Sequence, residues 1–306
     1  MSLIKPIRPV ITEADRTAVL DVLISGYIND GEIVRTLEKE IGAYHNCEAV
    51  CVSSCTIAME LILRWYIMRN GSNMITVPYI SHPATIHAAI NAGYSKFECS
   101  DDPEIGADLN GMLSVKGIVA DCAQSVLTSG IMSGREAVAV SFGALKTITG
   151  GVGGAVLTCN DDLIRFVRDS KSYGRRLTDA PDCAVTSIGS NYRMSDINAA
   201  LALSQWRRRD EIITDKFRIL YQYKKLLGAC IEERAEEQPP WIVECSINAS
   251  YQGNFRTYYP PFGTYVHLHD YIINWHEALK LKNSIFLPSW SYITYDEITK
   301  YASMIR

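Results

Sequence analysis

The sequence predicts an α/β fold: a large domain with a mostly parallel, mixed sheet flanked by helices, then a small C-terminal α+β domain. Three observations predict it. Short apolar runs alternate with helix-period segments from Glu48 to Ser172, the pattern of parallel strands joined by crossover helices. A long helical stretch, Ser195 to about Leu227, follows. Beyond it, from about Ile231, come short strand-like runs and two late helices. At about 150 residues per domain, 306 residues make two domains. The long helix is the joint, which divides the chain into residues 1–210 and 211–306.

Each element has a local reason. Glu13–Ser25 and Glu32–Tyr44 carry apolar residues at helical spacing and are punctuated by Gly26 and the Asn29-Asp30-Gly31 turn. Glu48–Val52 is a short apolar strand, and Ser53-Ser54-Cys55-Thr56 caps the apolar helix Ile57–Met68. Met74–Pro78 and Lys96–Cys99 are strands around the helix Ala84–Asn91, which stops at Gly93. Gly117–Ala120 is an apolar run ending at Asp121, and Ala137–Phe142 and Gly154–Cys159 are strands joined by a glycine-rich link. Asp161–Ser172 is a helix, and Ser195-Asp196 is a good start for the long one. Its middle, Arg207-Arg208-Arg209-Asp210-Glu211, reads as a solvated turn of helix rather than an anion site.

Composition excludes several classes. With 30 basic and 34 acidic residues the formal charge is −4, which argues against a nucleic-acid binder relying on a basic face. No apolar stretch is long enough to span a bilayer, and the start is not a signal peptide. Nine scattered cysteines fit a reduced cytoplasm better than a disulfide framework. The sequon Asn248-Ala249-Ser250 reads as chance, and Cys47, Cys51 and Cys55, though spaced by four, do not converge into a metal site. His267 and His269 alternate with apolar residues and read as surface or structural histidines.

Three patterns carry chemistry. Ser53-Ser54-Cys55-Thr56 sits at a strand-to-helix junction, where free N–H groups suit a phosphate. Asp121-Cys122-Ala123-Gln124 places a carboxylate and an amide just past a strand end, where open α/β sheets bind ligands. Ser141 to Lys146, followed by Gly150-Gly151-Val152-Gly153-Gly154, puts a lysine after an apolar strand beside glycines that let backbone approach a bulky ligand. Apolar surroundings lower a lysine's pKa, and a neutral amine attacks a carbonyl where an ammonium does not.

In this order the patterns resemble the DegT/DnrJ/EryC1/StrS sugar aminotransferases, fold-type I enzymes that use pyridoxal phosphate. The resemblance begins at Ser25-Gly26-Tyr27 and Asn29-Asp30-Gly31. It runs through Val52 to Thr56, Val77 to Thr85, Asp121 to Gln124, Ser141 to Lys146 and Asn191 to Ala200, and ends near Phe286-Leu287-Pro288. It implies that Lys146 is the Schiff-base lysine and moves the proton between Cα and C4′. Asp121 would pair with the pyridinium nitrogen and Gln124 with the phenolic oxygen. The backbone of Cys55 and Thr56, with the Ser141 hydroxyl, would hold the phosphate. His82 would stack on the ring, and Asn191 would reach the phosphate of the neighbouring subunit's cofactor, which implies a homodimer. The implied activity takes an amino group from an amino acid, glutamate by expectation, through pyridoxamine phosphate to a nucleotide-linked keto sugar. A sugar dehydratase of the same family is an alternative, although those enzymes carry histidine in place of the lysine. A non-catalytic relative that has kept the fold is another.

The chain departs from the family at several positions. Cys55 stands where glycine or alanine is common, Val152 where a glutamate is usual, and His82 where phenylalanine or tryptophan is more frequent. Gly263 stands where a histidine is often found. Leu109–Lys116 nearly joins two strands where the family has a further helix, strand and loop. A sheet lacking one strand, with a more open sugar site, is the expectation.

Overall fold

The computed structural model describes residues 7–109, 112–113, 117–175, 184–231, 233–235, 237–246, 256–257, 284–287 and 289–305. The sequon at 248–250, Gly263, His267, His269 and Pro288 lie outside them. In chain order the elements are α1 (Glu13–Ser25), α2 (Glu32–His45), β1 (Glu48–Val52), α3 (Cys55–Asn70), β2 (Met74–Val77), α4 (Pro83–Ala92), β3 (Lys96–Cys99), β4 (Ile105–Ala107), β5 (Val119–Asp121), β6 (Ala137–Ser141) and β7 (Gly154–Thr158). Then come α5 (Asp161–Lys171), α6 (Asp196–Arg207), α7 (Arg209–Leu227), β8 (Val243–Ser246), β9 (Arg256–Thr257), β10 (Ser284–Leu287) and α8 (Tyr295–Ser303).

The main sheet is mixed, in the order β1-β7-β6-β5-β4. β4, β5 and β6 are parallel, and β7 runs against both β6 and β1. The parallel pair β2-β3 lies beyond β4. Its link to β4 is a side-chain clasp: Thr76 N–H donates to Glu104 Oε2 at 2.9 Å, and Glu104 N–H donates to Thr76 Oγ1 at 2.7 Å. The expectation of a missing strand is therefore corrected. β4 is present, three residues long, and pairs with β5 directly across the short connection at 108–118. Arg135 and Asp108 brace that connection. They form a buried two-pronged ion pair, with both N···O distances 2.7 Å.

Strand alternation sorts the core into two layers. Val50, Val52, Ala137, Ala139 and Val156 face α3, α4 and α5, while Ala49, Cys51, Val138, Val140, Ala155 and Leu157 face α2 and α6. A separate cluster forms around α7, α8, β8 and β10, from Ile219, Tyr223, Val243, Cys245, Leu287 and Ile298. Among the described residues no helix is long and apolar enough to cross a membrane.

Two features bind distant parts of the sequence. The N-terminus of α2 has only Gly31 at its cap position, with no side chain to offer. Asp196, from the start of α6, supplies the acceptors instead, taking the N–H of Gly31 at 2.8 Å and of Val34 at 2.9 Å. A Cβ on Gly31 would lie 2.2 Å from Asp196 Oδ2, so only glycine lets the carboxylate in. The arginine run is the second feature: Arg207, Asp210 and Glu211 are exposed, as expected of a solvated turn, while Arg208 and Arg209 are half-buried. The long helix breaks there into α6 and α7, and each arginine takes its own partner. Arg207 pairs with Glu40, Arg208 with the fully buried Asp15, and Arg209 lies over the rings of Tyr44 and Trp206.

Candidate active site at the carboxyl edge of the sheet

β1, β5 and β6 point the same way, so their ends meet at one edge. β1 leads into the N-terminus of α3, β5 ends on Asp121, and β6 ends on Ser141 and runs into the loop that carries Lys146. Open α/β sheets gather ligands at such an edge.

The start of α3 is held against the sheet by the absence of a side chain on β7. A Cβ at Gly154 would stand 2.3 Å from the Cys55 nitrogen. Ser54 caps the helix by accepting from Ile57 N–H at 3.2 Å. The first N–H groups of a helix have no intrahelical partner, which leaves those of Cys55 and Thr56 facing outward with the positive end of the helix dipole. Both residues are half-buried. The other glycines near Lys146 serve protein contacts. A Cβ on Gly150 would meet Asn198 O at 2.6 Å, and one on Gly153 would meet the Met194 methyl at 2.7 Å. These glycines let the lysine loop close on the start of α6, where Asn198 Nδ2 donates to Gly150 O at 2.6 Å. Val152, at the tip of that link, is exposed.

Asp121 is fixed on both oxygens. Oδ1 accepts from Ala123 N–H at 3.0 Å and from the Cys55 thiol at 3.9 Å. Oδ2 accepts from Thr85 Oγ1 at 2.7 Å. With its proton committed to the carboxylate, Thr85 accepts from Ser81 Oγ, 2.8 Å away. Burial, reinforced by Asp121, pushes the Cys55 thiol well above its ordinary pKa, so it stays protonated. Gln124 lies half-buried in the turn after β5. Ser141 is buried, and its Oγ accepts from Gly143 N–H at 3.2 Å.

Lys146 sits in the loop after β6, with its N–H on Gly143 O at 2.9 Å. Burial lowers its pKa, against which the charge of Asp121 acts. Its Nζ has no hydrogen-bond acceptor among the described residues. It rests instead over the Trp241 ring, 4.8 Å from the centroid. His82 caps α4, its Nδ1 accepting from Ala84 N–H at 3.1 Å. Burial lowers its pKa; Asp121 opposes the shift, and Lys146 and His87 add to it. Asn191 is exposed, pairs with Ser172 in an isolated bridge and accepts from Arg193 Nε at 2.9 Å.

Cys55, Asp121 and Lys146 thus converge, with Thr56, Ser141, His82 and Gln124 on the ends that surround them. Asn191 is exposed, one residue before Tyr192, whose carbonyl accepts from Ser53 N–H at 2.7 Å. Three contributors were not singled out from sequence. Thr85 lay inside a quoted segment, and its signal was a hydroxyl four residues after Ser81 at a helix start. Trp241 lies 96 positions from the loop it touches, and no local pattern marks it. Lys216, which holds the Trp241 carbonyl at 3.0 Å from inside α7, is equally silent.

The family model for the DegT/DnrJ/EryC1/StrS aminotransferase family matches residues 9–106 and 116–252, well over half of the chain. The gap between the two matched stretches falls on the end of β4 and the short connection after it. Among solved structures, the chain is similar to Helicobacter pylori PseC, an aminotransferase of pseudoaminic acid biosynthesis. The TM-score is 0.83 at 17% identity, over 99% of this chain and 98% of that one. It is similar also to Spr1654 from Streptococcus pneumoniae in its PMP form, with TM-score 0.82 and 19% identity over 99% and 96% of the two chains. The sugar aminotransferase CalS13 from Micromonospora echinospora gives TM-score 0.78 and 17% identity, over 99% of each chain. These likenesses establish the fold, and the family match places the chain: it belongs to the DegT/DnrJ/EryC1/StrS aminotransferase family, whose members are pyridoxal-phosphate-dependent enzymes.

Proposed function

We propose that this chain moves an amino group from an amino acid, with glutamate the first candidate, to a keto sugar linked to a nucleotide. The observation that carries this is the Lys146 amine: half-buried, without an acceptor among the described residues, and near a fixed carboxylate beside an open helix N-terminus.

The donor set fits pyridoxal phosphate. A dianionic phosphate suits the N–H groups of Cys55 and Thr56 with the Ser141 hydroxyl. A ring nitrogen that must stay protonated suits Asp121, already held by Thr85, Ala123 and Cys55. An aldehyde suits a lysine whose pKa burial has lowered. Gln124 is assigned to the phenolic oxygen and His82 to the ring face. When bound, the cofactor supplies the electron sink for breaking the donor's Cα–H bond. Lys146 Nζ would be the base that takes that proton and carries it back. Asp121 keeps the ring nitrogen's proton in place. Cys55, a neutral thiol, adds no charge against the phosphate.

The reading includes a homodimer in the cytoplasm, with the chain divided at 210/211. Exposed Asn191 supports the shared site. The exposed apolar side chains Leu23, Ile24, Tyr27 and Ile188 support a partner surface. The eight described cysteines are free thiols, which supports a reducing compartment.

Borohydride trapping tests the centre of the proposal. Protein incubated with pyridoxal phosphate and reduced is expected to carry one pyridoxyl group, on Lys146, by peptide mapping. Glutamate added before reduction should bleach the visible absorbance and prevent the adduct. Absence of the adduct, or adducts spread over surface lysines, overturns the assignment.

A further inference from the structure

The resting place of the Lys146 amine is built by a part of the chain far from the sheet edge. Trp241 precedes β8 and is 6% exposed. Its indole N–H donates to Leu145 O at 2.8 Å, on the peptide next to Lys146, and its ring face meets Nζ at 4.8 Å. One side chain thus grips both the backbone and the amine of the same loop. The ring is itself anchored. Lys216, buried in α7, donates to the carbonyls of Trp241 at 3.0 Å and Ser289 at 2.6 Å. Ser289 Oγ in turn accepts from Val243 N–H at 2.9 Å and donates to Leu287 O at 2.7 Å. Lys146, Lys216 and Arg208 line one small cavity.

We propose that Trp241 is a positioning residue for Lys146, its indole face holding the amine and α7, through Lys216, holding the indole. The proposal rests on Lys146 being the reacting lysine. A ring face attracts an ammonium and not a neutral amine, so Trp241 biases the protonation of Lys146 as well as its place. The other groups that bear on this amine are Asp121 at the end of β5, Cys55 on α3 and His82 before α4; Arg208 and Lys216 line the same small cavity.

The test is the pH profile of Lys146 acetylation in the full chain stripped of cofactor, read by peptide mass mapping after pulses of acetic anhydride. Only the free amine reacts, so the midpoint reports its proton affinity. Trp241→Leu should lower the midpoint by about one pH unit, the range expected for a partly desolvated cation–π contact. Trp241→Phe keeps a ring and should keep the midpoint. Fluorinated tryptophans keep shape and N–H while draining the ring face, and should lower the midpoint stepwise with fluorine number; they decide the matter if Trp241→Leu does not fold. A midpoint that ignores fluorination, or Trp241→Phe shifting it as far as Trp241→Leu, overturns the proposal. Borohydride trapping of the unaltered protein separates this failure from that of the functional reading: an adduct on Lys146 with an immobile midpoint sinks Trp241 alone.

Discussion

Lys146 is half-buried and Lys216 buried, and desolvation lowers the pKa of both. Their surroundings differ in one respect. Lys216 has two carbonyl acceptors within 3.0 Å and nothing further to bind. Lys146 has none among the described residues, only a ring face and a carboxylate beyond direct hydrogen-bond reach. Lys171 belongs with Lys216: its Nζ meets Asp30 at 2.8 Å, the Cys51 carbonyl at 3.2 Å and Glu38 at 3.5 Å. A buried cation with its donors filled is a structural part. One with its donors left open is kept for a molecule that the protein must still bind.

That contrast can be broken by exchanging roles. Lys146→Ala should show the largest effect, a loss of amino transfer of about a thousandfold or more, within the range for removing a positioned proton carrier. Its melting temperature should stay close to that of the unaltered protein, because the half-buried amine makes no hydrogen bond among the described residues that the change would break. Full activity would place the chemistry elsewhere.

Lys216→Met should do the reverse. It leaves two buried carbonyls without donors, a loss of about 2–3 kcal/mol, and should still be trapped by borohydride at Lys146. Its pH dependence has a definite sign. The folded-state pKa of Lys216 is about 8 because burial disfavours its ammonium, whereas an unfolded lysine holds its proton to about 10.4. Between those values the unfolded chain binds the extra proton, so this contribution to stability is fully present above about 10.4 and is lost as pH falls through about 8. The melting temperatures of the two proteins should therefore diverge as pH rises from 8 to 10, in favour of the lysine. A constant gap would mean that Lys216 keeps its proton in the folded chain to the same pH as in the unfolded one.

Thr85→Val should give the smallest effect. It removes one hydrogen bond to a carboxylate whose other oxygen remains held. A roughly tenfold fall in amino transfer, about 1.4 kcal/mol, fits the loss of one such bond. Thr85→Ser should restore most of it. Equal loss in both variants would show that the methyl group, not the hydroxyl, matters at this position.

What was legible in the sequence followed locality. Strand alternation and helix caps lie within a few residues, so most elements fell where the pattern put them. Asp121 and Ser141 announced themselves by ending apolar strands, and Lys146 by following one. β4 was missed because three residues, one of them Gly106, carry no period. The arginine run looked solvated, yet Asp15 and Glu40, far back in the sequence, claim two of its charges. Thr85, Lys216 and Trp241 act through contacts across 36, 25 and 96 positions, and no local rule reaches that far. The glycine-rich link was read as room for a ligand. Two of its positions, Gly150 and Gly153, prove to be room for the start of α6.

The cap that Asp196 lends to α2 has a consequence for synthesis. A ribosome delivers Gly31 long before it delivers Asp196, so the nascent chain has α2 in hand without acceptors for its first N–H groups. Ser53 N–H waits likewise for the carbonyl of Tyr192, and Ile28 O for the N–H of Asp196. The N-terminal segment and the start of α3 therefore cannot be finished in translation order. This edge of the sheet closes only when the segment around residues 192–196 has emerged, and a chain stalled before that point carries Lys146 on an unclosed frame.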